Sequence, residues 1–187
     1  MGMPATEDRI TTIEQLLALP EDGMCHELLD GVHAVTPSPQ LPHQRAVREL
    51  LLLLAGHLGP RCNYEIFSSP ADIVLGPNTL VQPDVFVVAR APGEKLESWS
   101  DAGVPVLAIE ILSPSTAPRD RGVKRRVYQR AGVAEYWIVD LDARLIERWT
   151  PEDERPEICD ATIAWQLPTG APGEIDVTRL FAVILDE

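Results

Sequence analysis

Hydrophobic and polar residues alternate with different periods along the chain, and the period predicts the elements. Residues 11–19 have the spacing of a short amphipathic helix that ends at a proline. Residues 24–29 and 32–35 flank Asp30-Gly31, a dipeptide that suits a two-residue β-hairpin turn. Residues 43–58 repeat apolar side chains at helical spacing. The first third therefore predicts a helix, a hairpin and a long helix.

The period becomes two between residues 62 and 88, which predicts several short strands. Residues 104–112 are almost wholly apolar, as is typical of a central strand covered on both faces. The pattern of residues 119–131 then predicts a helix, and that of residues 135–149 predicts two strands around a turn. The tail contains more short strand-like pieces. Helices placed between groups of strands indicate an α/β or α+β fold, with a central sheet flanked by helices.

Composition narrows the class of protein. The chain has 187 residues, of which 45% are hydrophobic, which suits a single domain over 1–187 and excludes a disordered chain. No apolar run approaches the length of a membrane span, and the N-terminus lacks the apolar core of a signal peptide. Three cysteines without CxxC spacing favour a reducing compartment. We expect a cytoplasmic protein of bacterial type without membrane contact.

Two carboxylates stand out from the apolar strands. Glu110 lies in the middle of the predicted central strand, where an unpaired carboxylate costs several kcal/mol. Asp84 begins another apolar run after Gln82-Pro83. Such a pair can converge on magnesium, which favours one or two carboxylates together with waters and phosphate oxygens. The alternative is that each carboxylate pairs with an arginine or lies at a sheet edge.

The predicted helix after Glu110 concentrates positive charge in an acidic chain. The formal net charge is −13, yet residues 119–130 contain six basic side chains and one acid. Lys124 shares the apolar face with Val127, Tyr128 and Ala131, and therefore points inward. An inward lysine beside two carboxylates can orient or deprotonate a water and offset charge on a phosphoryl group. The alternative is a snorkelling lysine paired with the acid at position 120.

Four blocks of sequence resemble one known family. They are QPD at 82–84, EILSPST at 110–116, DRGVKRRVY at 120–128 and GVAEYWIVD at 132–140. In this order they resemble the Uma-two family of the PD-(D/E)xK nuclease superfamily, over about residues 10–183. The resemblance implies a restriction-endonuclease-like core with a central mixed β-sheet, an N-terminal helix and a β-hairpin. It also implies a homodimer.

The resemblance assigns roles to individual residues. Asp84 and Glu110 match the two metal-binding acids, joined by the carbonyl of Ile111. The superfamily's lysine would lie two positions after the glutamate, where this chain has Leu112. The resemblance therefore implies that the lysine is supplied by the next helix, and Lys124 is the match.

Further residues are expected around this site. Glu27 matches the family's hairpin acid, which can hold a water or a second metal, although it can also simply pair with the site lysine. His43 begins the long helix and is expected to face substrate, although it can also merely start that helix. Arg121 and Arg125 are the predicted substrate-binding residues of the basic helix.

The leading hypothesis is a magnesium- or manganese-dependent endonuclease that hydrolyses phosphodiester bonds of DNA. Because the rest of the surface is acidic, we expect DNA to bind one localised basic face beside the metal, weakly and with a shallow salt dependence. A catalytically idle nucleic-acid or protein-binding module that keeps the fold is the main alternative. A glycosidase with paired carboxylates is less favoured, because aromatic residues make up only 5% of the chain.

Overall fold

A computed structural model describes residues 9–59, 63–91, 93–167 and 172–187. The helices within these residues are α1 (Ile13–Leu17), α2 (Leu41–Leu58), α3 (Ala117–Arg119), α4 (Arg125–Ala131) and α5 (Val177–Leu185). The strands are β1 (Cys25–Leu29), β2 (Val32–Thr36), β3 (Tyr64–Ser68), β4 (Ile73–Gly76), β5 (Thr79–Val81), β6 (Val85–Ala89), β7 (Leu107–Ile111), β8 (Glu135–Asp140), β9 (Leu145–Trp149), β10 (Glu157–Cys159), β11 (Thr162–Trp165) and β12 (Gly173–Asp176).

The N-terminal elements form as the sequence predicts. Thr12 caps α1 in a capping box, with its side chain accepting from the N–H of Gln15. Strands β1 and β2 pair antiparallel around Asp30 and Gly31, which both have the positive φ that this tight turn requires. These strands join β5 and β4 in a small sheet of order β2-β1-β5-β4.

The larger sheet has the order β10-β9-β8-β7-β6-β3 within the described residues. Strand β7 pairs parallel with β8 and antiparallel with β6, so the sheet is mixed. All five residues of β7 are buried. The predictions of a mixed sheet and of a central strand covered on both faces are confirmed.

Alternation along the strands assigns their side chains to two cores. Ile109 and Ile111 of β7 pack with α2 and α5 on one face of the large sheet. Ala108 packs on the other face, with Val127 and Tyr128 of α4. Since side chains alternate along a strand, Glu110 lies on the face of Ala108, which α4 and the small sheet cover.

The last helix corrects the prediction for the tail. The strand-like reading holds for β10 to β12, but residues 177–185 form α5. The Asp176 side chain accepts from the N–H of Arg179 and caps this helix. Val177, Leu180, Phe181 and Ile184 are buried at helical spacing. Burial against the sheet outweighs the strand preference of the β-branched residues.

Two predictions from composition can be compared with the described part of the chain. No helix there has the length and apolarity to cross a bilayer. Cys25 and Cys159 are free thiols. The third cysteine, Cys62, lies outside the described residues.

Candidate active site

The buried Lys124 ammonium lies directly on the Glu110 carboxylate. Lys124 Nζ is 2.8 Å from Glu110 Oε1, and both side chains are about 5% exposed. Glu110 comes from the central strand β7, and Lys124 comes from the helical segment that follows it. This contact is the arrangement expected for a lysine supplied by the next helix. Lys124 also pairs with Asp120, at 3.9 Å, but its side chain is only 6% exposed and therefore does not snorkel to solvent.

The helix that carries Lys124 contains a wide turn. Between α3 and α4, residues Asp120–Lys124 form a π-helical segment. Both residues at its ends are buried. Such segments are rare and often occur at functional sites. The sequence predicts a continuous helix over 119–131, whereas the structure has this wider turn within it.

Glu27 of the hairpin reaches the same lysine. Its Oε1 atom is 2.9 Å from Lys124 Nζ and accepts a 2.8 Å hydrogen bond from the N–H of Gln82. Its Oε2 atom lies 3.9 Å from Arg119 Nη1. Only 1% of the Glu27 side chain is exposed. The contacts of Glu27 therefore agree with the alternative that it pairs with the site lysine.

Asp84 lies just before β6, and its carboxylate continues the hydrogen bonding between β6 and β7 beyond the end of the strand pairing. The last register pair between β6 and β7 is Val85 with Ile109. Beyond it, the N–H of Ile111 donates to Asp84 Oδ2 over 2.8 Å. His43 Nε2 lies 3.1 Å from the same oxygen. His43 therefore contacts a carboxylate of the site, and its Nδ1 atom is buried without a partner among the described residues.

Three carboxylates share the charge of one lysine. Burial alone would lower the pKa of Lys124, but the negative charges of Glu110, Glu27 and Asp120 outweigh burial and hold that pKa well above its ordinary value. Lys124 is therefore an ammonium ion at neutral pH. It can donate hydrogen bonds but is a poor base.

The excess of negative charge in the site affects the pKa values of its carboxyl groups. Burial raises the pKa of Glu110 well above its ordinary value, and Lys124 opposes this shift while Asp84 adds to it. Burial also raises the pKa of Asp120, and the positive charge of Lys124 again opposes this shift. One Asp120 oxygen has no hydrogen-bond partner in the described residues. A site with this excess of buried carboxylates favours an additional cation.

A cleft of about 960 Å³ opens above these groups. Asp84, Glu110 and Lys124 line it together. Other parts of its wall come from residues 37–40 after β2, from residues 112–116 after β7, and from residues 141–143 between β8 and β9. The size is that of a small-molecule or active-site pocket.

The oxygen donors of this cleft suit a hard divalent cation. Asp84, Glu110 and the Ile111 carbonyl could hold magnesium or manganese, which need only one or two carboxylates when waters complete the octahedron. Glu110 accepts hydrogen bonds from Lys124 and Tyr128 through Oε1, which leaves Oε2 for such an ion. No group of three His, Cys, Asp or Glu in the described ranges is placed to hold a metal by itself. Waters and substrate would have to supply the remaining ligands.

The basic helix is largely paired within the protein. Arg121 contacts Asp140 at 2.7 Å and Glu147 at 2.6 Å. Arg125 stacks over the Trp149 ring, with its guanidinium carbon 4.7 Å from the ring centre. These contacts reduce the charge that Arg121 offers to DNA and fix the position of Arg125.

Sequence reasoning missed two further polar contacts. The Tyr128 hydroxyl donates to Glu110 Oε1 over 2.8 Å, although its spacing marks it only as part of the apolar face. Gln82 connects Glu27 to Asp72, since its side-chain amide donates to Asp72 Oδ1 over 2.9 Å. For Tyr128 a signal exists in the sequence, because it lies four positions after Lys124 on the same helix face.

Comparison with known proteins identifies the family. The model of the Uma2 family, described as "Putative restriction endonuclease", matches residues 13–178. The chain belongs to the Uma2 family. No protein among the curated ones matches it.

A solved structure shows the same fold as this Uma2 chain. It is a crystal structure described as a "putative nuclease" from Anabaena variabilis, with a TM-score of 0.76. The similarity covers 92% of this chain and 98% of the other, at 20% sequence identity. At that identity the likeness concerns the fold, which confirms the prediction of a restriction-endonuclease-like core.

Proposed function

We propose that this Uma2 protein is a metal-dependent endonuclease that hydrolyses phosphodiester bonds of DNA. One observation carries the proposal: the buried ammonium of Lys124 lies 2.8 Å from Glu110 on the central strand, in a cleft that Asp84 also lines. A buried lysine and a buried carboxylate on a central strand are costly to keep in a core unless they serve a site. The family match supports the same class of reaction.

In this proposal Asp84, Glu110 and the carbonyl of Ile111 hold magnesium or manganese. The ion, when bound, supplies Lewis-acid stabilisation of a phosphoryl oxygen and lowers the pKa of a water. Lys124 remains charged because of its carboxylate neighbours, so it orients the water and offsets negative charge instead of removing a proton. Glu27 and His43 hold Lys124 and Asp84 in place through the contacts described above.

The substrate and its surroundings follow from the family and the charge pattern. We propose that DNA contacts the side of the cleft next to the basic helix, where Arg121 lines the wall. Arg125 and the exposed Arg126 follow on the same helix and are proposed to contact phosphates outside the cleft. Because the acidic remainder of the surface repels DNA, the contact area is small. A single domain, a homodimer and a cytoplasmic location remain predictions from the sequence.

Cleavage of plasmid and linear DNA in magnesium or manganese tests the proposal. We expect Asp84→Asn, Glu110→Gln and Lys124→Gln to lose at least about 100-fold in rate, since each removes a group that acts on the metal or the phosphate. Glu135→Gln is a matched control, because Glu135 is a buried carboxylate with an arginine partner outside the cleft. Equal cleavage by the wild type and Glu110→Gln would refute the proposal. An inert wild type that binds no metal would favour the idle binding module.

A further inference from the structure

Two tyrosines lie side by side beneath the cleft and make different hydrogen bonds. Tyr128 and Tyr136 are almost completely buried, with ring centres 4.7 Å apart. The Tyr128 hydroxyl donates to Glu110 Oε1 over 2.8 Å. The Tyr136 hydroxyl donates to the backbone carbonyl of Asp120 over 3.2 Å. Only the first tyrosine touches the carboxylate of the site.

The hydroxyl of Tyr128 and the ammonium of Lys124 converge on a single oxygen. Lys124 Nζ is 2.8 Å from Glu110 Oε1, the same atom that Tyr128 contacts. Among the described residues, the hydrogen bonds to the Glu110 side chain both go to Oε1 and not to Oε2. Two donors on one oxygen fix the rotation of the carboxylate about its last bond, because turning it would break both hydrogen bonds in a buried site.

We propose that Tyr128 is a positioning residue that commits Oε1 of Glu110 to the protein and leaves Oε2 alone for the cation, so that the site selects magnesium or manganese over calcium. This inference rests on the proposed function. Magnesium accepts single carboxylate oxygens in a strict octahedron at short distances. Calcium takes six to eight oxygens and often binds both oxygens of one carboxylate. A carboxylate whose one oxygen is engaged by the protein cannot bind calcium through both oxygens.

The two tyrosines provide a matched pair of variants. Tyr128→Phe keeps the ring and its packing but removes the hydrogen bond to Glu110. Tyr136→Phe removes one equally buried hydroxyl, whose partner is a backbone carbonyl. Thermal unfolding of the metal-free proteins should show a loss for both variants, and the loss should be larger for Tyr128→Phe because its hydrogen bond is to a carboxylate.

Calorimetric titration with magnesium, manganese and calcium chloride, without DNA, is the test. In Tyr128→Phe we expect magnesium affinity to fall about 10-fold, as is typical when a group that orients a metal ligand is removed. Calcium affinity should fall less or rise, so the magnesium-to-calcium ratio decreases. Tyr136→Phe should keep the wild-type ratio. An unchanged ratio in Tyr128→Phe, or equal changes in both variants, would overturn the inference.

A crystal of the wild-type protein grown with manganese gives a second, independent measurement. The inference requires one Glu110 oxygen on the ion and the other within hydrogen-bond distance of Tyr128. Both oxygens on the ion would overturn it even if Tyr128→Phe does not fold. The inference can also fail while the proposed function stands, since DNA cleavage lost in Glu110→Gln but insensitive to Tyr128→Phe would separate the two. A wild type without metal binding overturns both.

Discussion

Two clusters of buried charged side chains, on opposite faces of the large sheet, differ in how well their charges are balanced. On the cleft face, Lys124 contacts Glu110 and Glu27, with Asp120 nearby. On the opposite face, Arg148 contacts Glu135 through two nitrogens and the exposed Glu157 through a third. Trp137 also donates to Glu135. The first cluster has more acids than donors can neutralise, whereas the second satisfies its buried acid.

This difference separates a structural ion pair from a candidate site. Hydrogen bonding to Glu135 raises the pKa of Arg148, and Glu135 itself accepts three hydrogen bonds, so nothing further is needed there. In the cleft, burial raises the pKa of both Glu110 and Asp120, so the folded protein pays for holding them ionised. The unbalanced cluster opens to the cleft, whose described lining includes neither Glu135 nor Arg148.

The largest expected effect breaks the unbalanced cluster. Lys124→Met leaves three buried carboxylates without their ammonium, which should lower the free energy of unfolding by about 3–5 kcal/mol at neutral pH. Burial already raises the pKa values of Glu110 and Asp120, and without Lys124 these folded-state values would lie further above the unfolded ones. The loss is therefore present at pH 7 and fades as the pH falls towards about 4.5, where the carboxyls take up protons.

Urea unfolding at both pH values measures this effect. Arg126→Met is the control, because Arg126 is an exposed basic residue two positions further along the same helix. Its change should stay within about 0.5 kcal/mol. A loss in Lys124→Met that is the same at pH 7 and at low pH would contradict the charge imbalance.

A smaller effect is expected from the balanced cluster. Arg148→Met leaves Glu135 with the Trp137 hydrogen bond alone, at a cost of about 2 kcal/mol, because Arg148 is partly exposed and water can replace some of its contacts. Metal binding measured by calorimetry should not change. A variant that loses metal affinity together with stability would show that the two clusters are coupled through the sheet.

Glu110→Gln should have the opposite sign. The amide oxygen can still accept from Lys124 and Tyr128, while one surplus negative charge disappears. We therefore expect a gain of about 1 kcal/mol in the free energy of unfolding, together with loss of DNA cleavage. The matched change Glu135→Gln should destabilise the protein instead. If urea unfolding shows changes in the free energy of unfolding with the same sign for both variants, the distinction between the clusters is wrong.

The smallest effect concerns the basic helix at the edge of the cleft. Because Arg121 and Arg130 already pair with carboxylates, few side chains remain to neutralise phosphates. We expect the logarithm of DNA affinity to fall with the logarithm of salt concentration with a slope magnitude below about five, which corresponds to fewer than about six phosphate contacts. Fluorescence anisotropy between low and moderate salt measures it, and a steeper slope would indicate a wider basic surface.

Much of the fold could be predicted because local patterns and the final packing agree. The hairpin at Asp30-Gly31 and the buried strand that contains Glu110 follow from turn chemistry and from apolar runs. The tail helix Val177–Leu185, which Asp176 caps, could not be recognised from its β-branched composition. The π-helical turn has no local signal, since it depends on how the helix meets the sheet.

The sequence by itself identified the candidate residues of the site: a carboxylate in a buried strand, a second one before another strand, and an inward lysine on the helix between strands. Only the tertiary structure decided how they share charge. The contacts of Lys124 with Glu27 and of Tyr128 with Glu110 join residues far apart in the chain, and such contacts depend on sheet register and helix packing. The acidic excess of the site exists only where these elements meet.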